Sequence, residues 1–251
     1  MVGVGLNDCA IARLTQLPRT TVRDWRISKR WEPRQPIPGI SRCRSPERWC
    51  SICEGPAHDL EAPPDSYVYL LGLYLGDGCL SEHARGVFKL RISLDKRYPG
   101  IINECVAAMR DVLPHNRQRV QQIPGSGAVE VNTYSKQLRC LFPQHAPGRK
   151  HERRIVLADW QEDIVTRRPD LLVRGLIHSD GCRFANTVRH PKRTYTYPRY
   201  NFTNRSDDIR GIFCGACDLL GIEWRVVNAW NISVARRASV ARLDEFVGPK
   251  A

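Results

Sequence analysis

From residue 67 to residue 76 the chain is apolar at nearly every position, YVYLLGLYLG, and the run stops at Asp77. An unbroken run of this length predicts a buried helix, closed by the glycine after the acid. Residues 171–182, LLVRGLIHSDGC, repeat the plan: Gly72-Leu73-x3-Asp77-Gly78-Cys79 is matched by Gly175-Leu176-x3-Asp180-Gly181-Cys182. The elements after each copy run in parallel too. After the first come an alternating stretch at 87–94, a helical stretch at 99–113, strand-like RQRVQQI and AVEVNTY, and a helix from Ser135. After the second come strand-like CRFANTVR and YPRYNFTN, a helical stretch from Ser206 to Leu220, strand-like IEWRVV and WNISVAR, and a helix from Ala238 to Phe246. Each half reads as helix, two strands, helix, two strands, helix: an α+β chain with an internal twofold repeat, its units spanning 67–168 and 169–251.

The repeated helices carry small residues four apart, Gly72 and Gly76 in the first, Gly175 and Ser179 in the second. That spacing leaves one face flat, so two backbones can approach closely. Packed side by side in parallel, they bring Asp77 and Asp180 together at their C-terminal ends. Each acid then meets the negative end of a helix dipole and a second carboxylate, and both raise the cost of ionisation. A divalent cation between them removes the conflict, and carboxylate and helix-end carbonyl oxygens are the hard donors Mg²⁺ prefers. Paired carboxylates and a metal facing a basic sheet suit phosphodiester hydrolysis. In Phe88–Leu94, period two puts Phe88, Leu90, Ile92 and Leu94 on one face and Lys89, Arg91 and Ser93 on the other, a face suited to phosphate. Arg199, Asn201 and Thr203 are placed for the same part in the second half.

Ahead of the repeat lie two different segments. Residues 5–27, GLNDCAIARLTQLPRTTVRDWRI, show two helix starts separated by Pro18, which predicts a helix-turn-helix within 1–30. Its second helix would present Arg19, Thr20, Thr21 and Arg23 to base edges and Arg26 to phosphate, with Val22 and Trp25 packed inward. An ordinary helical hairpin is the competing reading. Residues 31–66 are rich in proline and hold Cys43, Cys50, Cys53 and His58. The spacing C-x6-C-x2-C-x4-H supplies four donors suited to tetrahedral zinc, which would staple a linker with few apolar residues. A flexible linker with incidental cysteines is the alternative.

Charge sharpens this picture. The formal net charge is +13, from 39 Lys+Arg against 26 Asp+Glu, and the surplus is divided: residues 67–248 carry +10 and residues 1–55 carry +5. Most of the basic residues are arginine, whose planar fork of donors fits phosphate, so nucleic acid is the expected partner. The N-terminus shows no basic stretch followed by an apolar one, and no run reaches the roughly 18 apolar residues of a membrane helix, so a cytoplasmic location is expected. Ten cysteines in such a chain argue for reduced thiols or metal ligands. Cys105, Cys140 and Cys182 read as small core residues, and Cys214-x2-Cys217 as core positions of a helix.

The paired G-L-x3-D-G segments resemble the motifs of the LAGLIDADG (DOD-type) homing endonucleases, in the single-chain form that carries two copies. YSKQLRCLF (134–142), APGRKHER (146–153) and FTNRSDDIRGIFCGACDLLGIEWRV (202–226) are similar to phrases of that family. The resemblance covers roughly 67–248. It implies an αββαββα fold in each half, a saddle of antiparallel sheet on double-stranded DNA, and cleavage of both strands by a monomer using Mg²⁺ or another divalent cation. By position it implies Asp77 and Asp180 as the catalytic acids, carbonyls of Gly76 and Ser179 as further metal contacts, and Lys150 as a basic residue near the site. Leu71, Arg174, Leu75 and His178 depart from the motif, and His178 is expected to make a polar contact near the helix end. The alternative is a DNA-binding transcriptional regulator on the same scaffold with little or no cleavage, as in sporulation regulators that join such a domain to a helix-turn-helix. Those scaffolds tend to lose the two acids, and this chain keeps both.

Overall fold

The structure, a computed structural model, describes residues 63–250 apart from Lys192 and Pro249, together with Ile11, Thr15, Trp49–Cys50, Ile52–Cys53 and Gly55–Pro56. The chain divides into two compact units, 1–45 and 46–251. In the first, Ile11 is buried, and Thr15 one turn later donates its hydroxyl to the Ile11 carbonyl at 2.7 Å. Arg19, Thr20, Thr21, Arg23 and Arg26 of the expected recognition helix, and Cys43 and His58 of the expected zinc set, lie outside the described residues.

The second unit begins with a short hairpin, β1 (Trp49–Cys50) and β2 (Gly55–Pro56). The first half comes next: α1 (Ser66–Asp77), β3 (Gly78–His83), β4 (Val87–Asp95), α2 (Pro99–Val112), β5 (Arg119–Gln122), β6 (Ala128–Ser135) and α3 (Leu138–Leu141). After a connecting helix α4 (Asp159–Arg167), the second half has α5 (Pro169–Asp180), β7 (Gly181–His190), β8 (Arg193–Thr203), α6 (Asp207–Leu219), β9 (Arg225–Asn228), β10 (Asn231–Val234) and α7 (Arg237–Phe246). Each half forms a four-stranded antiparallel sheet, in the order β3-β4-β6-β5 in the first and β7-β8-β10-β9 in the second. Equivalent strands hold equivalent places, so the repeat read in the sequence is a repeat of topology.

The two motif helices lie side by side and parallel. At their starts Arg168 pairs bidentately with Asp170, at 3.1 and 3.0 Å, and also with Asp65. At mid-length a Cβ placed on Gly72 would stand 2.6 Å from the Leu172 carbonyl oxygen and 2.9 Å from the Gly175 Cα. At their ends a Cβ on Gly76 would meet the Ser179 side chain. Every residue of α1 from Tyr67 to Leu75 is buried. A helix apolar all round needs cover all round: α5 takes one side, and side chains such as Phe142, 4.5 Å from Tyr74 between ring centroids, take others.

Four details differ from the sequence reading. Strand β3, in GCLSEH, is not among the stretches assigned from the sequence; it pairs with β4 from Gly78↔Ile92 to His83↔Val87. The helix expected from Ser135 is confined to Leu138–Leu141, because Pro143 has no N–H to continue it and bars the preceding residue from helical geometry. Helix α4 has little signal in the sequence, since only Trp160, Ile164 and Val165 give it an apolar side. Cys182 is exposed, as is Cys79: with Gly181 buried at the helix end, strand alternation turns the next residue outward. Cys105, Cys214 and Cys217 are buried, as their place in the apolar pattern predicts. No helix among the described residues is long and apolar enough to cross a membrane.

Candidate functional site

The close approach of α1 and α5 ends in two small cavities. One, of about 170 Å³, is lined by Asp77, Ser179 and Lys250 together with Asp95, Tyr98 and His178. The other, of about 250 Å³, is lined by Asp180, Gly76 and Lys150 together with Asn204, Arg205 and Trp230. Each thus combines the acid of one motif helix, the residue before the acid on the other helix, and one lysine. The twofold repeat of the fold is also a repeat of chemistry.

Asp77 keeps an opening to solvent, but the protein packed around its carboxyl pushes its pKa up to about 6. The Asp180 carboxylate pushes in the same direction, against the pull of Lys150 and Lys250. Burial raises Asp180 too, opposed by an amide hydrogen bond that Asn204 Nδ2 donates to its Oδ2 at 2.6 Å and by both lysines. Two carboxylates that resist ionisation, beside helix-end carbonyls, form a donor set of hard oxygens that fits Mg²⁺ or a similar divalent cation.

Lys150 projects from the loop before α4 and donates to the last carbonyls of α1: Tyr74, Leu75 at 3.0 Å and Gly76 at 3.2 Å. Burial lowers its pKa to about 8, while Asp180 and Asp77 hold it from falling further. Lys250 stands just past the end of α5, donating to the carbonyl of Gly181, the first residue of β7, at 2.5 Å; burial lowers its pKa against the pull of Cys182, Asp77 and Asp180. Lys250 and Asn204 escape the sequence reading. Asn204 has a signal, since it lies in FTNRSDD beside strand β8, whereas Lys250 comes after the last helix in a tail without pattern.

His178 lines the cavity of Asp77, but both of its ring nitrogens are engaged elsewhere. Its Nδ1 lies 2.9 Å from the Tyr69 hydroxyl and its Nε2 2.9 Å from the Val247 carbonyl, a satisfied contact at the helix end as expected. Burial lowers its pKa to about 4, so the ring is neutral at pH 7.

The expected phosphate-facing residues stand on the polar faces of the sheets. In β4, Phe88, Leu90, Ile92 and Leu94 are buried while Lys89, Arg91 and Ser93 are not. Lys89 forms an ion pair with Glu130 at 2.6 Å, and Arg91 lies 3.9 Å from the same carboxylate, so part of this positive charge is neutralised from β6. Arg199 and Asn201 are half-buried on β8. Arg91 pairs with Cys79 and Asn201 with Cys182, so the two occupy equivalent positions. Arg91 Nε and Asn201 Oδ1 are both buried without a hydrogen-bond partner.

Of the expected zinc ligands, Cys50 and Cys53 come together, and the third thiol beside them is Cys140. Cys140 is buried as expected, but as a member of this thiol cluster and not as an isolated core residue.

No protein-family model matches the chain, and no curated protein matches its sequence. Among solved structures the chain is similar to the homing endonuclease I-DmoI in complex with DNA and Mn, at 14% identity and a TM-score of 0.49 over 76% of this chain and 99% of that one. It is similar to the N-terminal LAGLIDADG domain of DUF199/WhiA, at 12% identity and a TM-score of 0.46 over 79% of this chain and 88% of that one. It is also similar to the LAGLIDADG meganuclease I-AabMI bound to uncleaved DNA, at 11% identity and a TM-score of 0.45 over 72% and 82%.

Proposed function

We propose that the protein is a site-specific endonuclease of double-stranded DNA that hydrolyses a phosphodiester on each strand with the help of a divalent cation. The carrying observation is the pair of equivalent cavities, each with an aspartate, a helix-end residue of the other motif and a lysine. Asp77 and Asp180, with the carbonyls of Gly76 and Ser179, would hold Mg²⁺ or a related cation. Such an ion, when bound, offsets the charge of the acids and of the phosphate and favours attack by water.

The chain's own groups do the rest. Lys150 and Lys250 place a positive charge beside each acid, and Lys150, at about 8, is close enough to neutrality to exchange a proton with a leaving or attacking oxygen. Asn204 orients the Asp180 carboxylate. A saddle formed by the polar sheet faces would hold the duplex through Lys89, Arg91, Ser93, Arg199 and Asn201, and the unpartnered atoms of Arg91 and Asn201 favour a polar ligand there. One chain carries both motif copies, so a monomer supplies a centre for each strand. The segment 1–30 adds a helix-turn-helix grip through Arg19, Thr20, Thr21, Arg23 and Arg26, and 31–66 connects the two. The protein acts in the cytoplasm, where its DNA is.

A randomised duplex pool tests this. Incubated with the protein and Mg²⁺, the pool yields a family of molecules cut on both strands at a shared sequence, and chelation of the metal leaves them intact. A pool enriched for bound duplexes that stay whole in Mg²⁺ and Mn²⁺ overturns cleavage and makes the protein a DNA-binding regulator.

A further inference from the structure

Three thiols gather away from the acid and lysine cavities, and nothing in the nuclease reading uses them. Cys50 lies on β1 and Cys53 in the turn after it, while Gly55 of β2 pairs with Cys50 across the hairpin. A Cys-x2-Cys on so tight a turn directs both sulfurs to one side, and the N–H groups of Ile52 and Cys53 reach toward the Cys50 sulfur. The third sulfur comes from α3, 90 residues along the chain: Cys140 Sγ lies 3.6 Å from Cys50 Sγ. All three sulfurs lie within 4.8 Å of one another.

These distances have a chemical meaning. Four sulfurs bound to zinc at about 2.3 Å in a tetrahedron stand roughly 3.8 Å apart, so the Cys50 to Cys140 separation is that of an edge of the tetrahedron. A disulfide would need about 2.05 Å. The anchor for the third thiol is firm: Leu138 and Leu141 flank Cys140 in the core, and the Tyr67 hydroxyl donates to the Leu141 carbonyl at 2.5 Å.

We propose that Cys50, Cys53 and Cys140 bind a structural zinc ion that fastens the β1–β2 hairpin to α3 and so to the first motif half. This changes the zinc set expected from the sequence, which draws all its ligands from 31–66. Local spacing finds the knuckle, but the third ligand is supplied by the body of the fold. Zinc takes a fourth donor as well; Cys43 and His58 of the sequence pattern lie outside the described residues. The ion has no part in hydrolysis, so the proposal stands or falls independently of the nuclease reading.

The test is metal content of the full chain purified under reducing conditions. The wild type should carry about one zinc per chain. Cys140→Ser and Cys53→Ser should each cut the zinc retained against a mild chelator by roughly tenfold or more. Cys105→Ser removes another buried core thiol and should keep the zinc, which separates loss of a ligand from loss of the fold. Cobalt exchanged into the wild type should show thiolate charge-transfer bands of an intensity that requires at least three sulfurs, a readout that needs no variant. Chelation should expose the hairpin to protease while the sheet body stays intact. A wild type without zinc, full zinc in Cys140→Ser, equal zinc loss in Cys105→Ser, or cobalt bands of two sulfurs would each overturn the proposal.

Discussion

Asp77→Asn and Asp180→Asn should each lower double-strand cleavage by on the order of 10³-fold or more, with DNA affinity changed by less than about threefold. The acids sit at the end of the approach between α1 and α5, where, in the proposed function, they would hold the metal at the scissile phosphate while the polar sheet faces would grip the duplex. An amide keeps the shape of the carboxylate and removes its charge. Stability should move the opposite way. In the metal-free protein the surrounding protein presses on each carboxyl, and the Asp180 carboxylate also presses on Asp77, whose pKa is pushed up to about 6. Neutralising one removes that repulsion, so either variant should melt at a higher temperature than the wild type when metal is absent. Loss of cleavage together with a gain in stability marks a functional site and separates these variants from ordinary core damage. Cleavage retained in both variants would remove the acids from the chemistry.

Gly175→Ala should destabilise the protein by about 3 kcal/mol, although it adds a single methyl group. A Cβ at Gly175 would stand 2.3 Å from the Tyr69 carbonyl oxygen and 2.9 Å from the Gly72 Cα. Both neighbours are backbone atoms in the middle of a helix, so neither can turn aside as a flexible side chain would. The helices must separate, and everything packed around their common axis must move with them. Gly211→Ala supplies the comparison. That glycine lies in α6 with nothing within 4 Å of the place a methyl group would take, and alanine there should stabilise by about 0.5–1 kcal/mol through helix propensity. Denaturant unfolding of the two variants measures the contrast. A cost below about 1 kcal/mol at Gly175 would mean that the helices do not meet there.

The features visible in the sequence share one property: they repeat. Asp77 and Asp180 can be paired without coordinates because each closes the same G-L-x3-D-G segment and heads a similar series of elements. Strand β4 is legible through its strict alternation. Strand β3 is not, because Cys79, Ser81, Glu82 and His83 give it little apolar pattern and its partner β4 supplies the reason it is extended. Lys250 is hidden for a related cause. It acts through its place in the fold, a tail that returns to the end of α5, and no local pattern announces that return. Cys140 reads as core, correctly for its burial, but spacing along the chain cannot disclose a partner 90 residues away. Local pattern thus locates the acids, and tertiary structure supplies the groups that surround them.

The proposed role of Asp77 and Asp180 as ligands of a divalent cation is tested most directly by Mn²⁺ binding, measured by electron paramagnetic resonance. A cation must displace the proton that Asp77 holds with a pKa of about 6, so affinity should be about tenfold weaker at pH 5 than at pH 7. In Asp77→Asn with Asp180→Asn most of the binding should disappear, along with this pH dependence. Mn²⁺ that binds the double variant as tightly as the wild type, at either pH, would contradict that role.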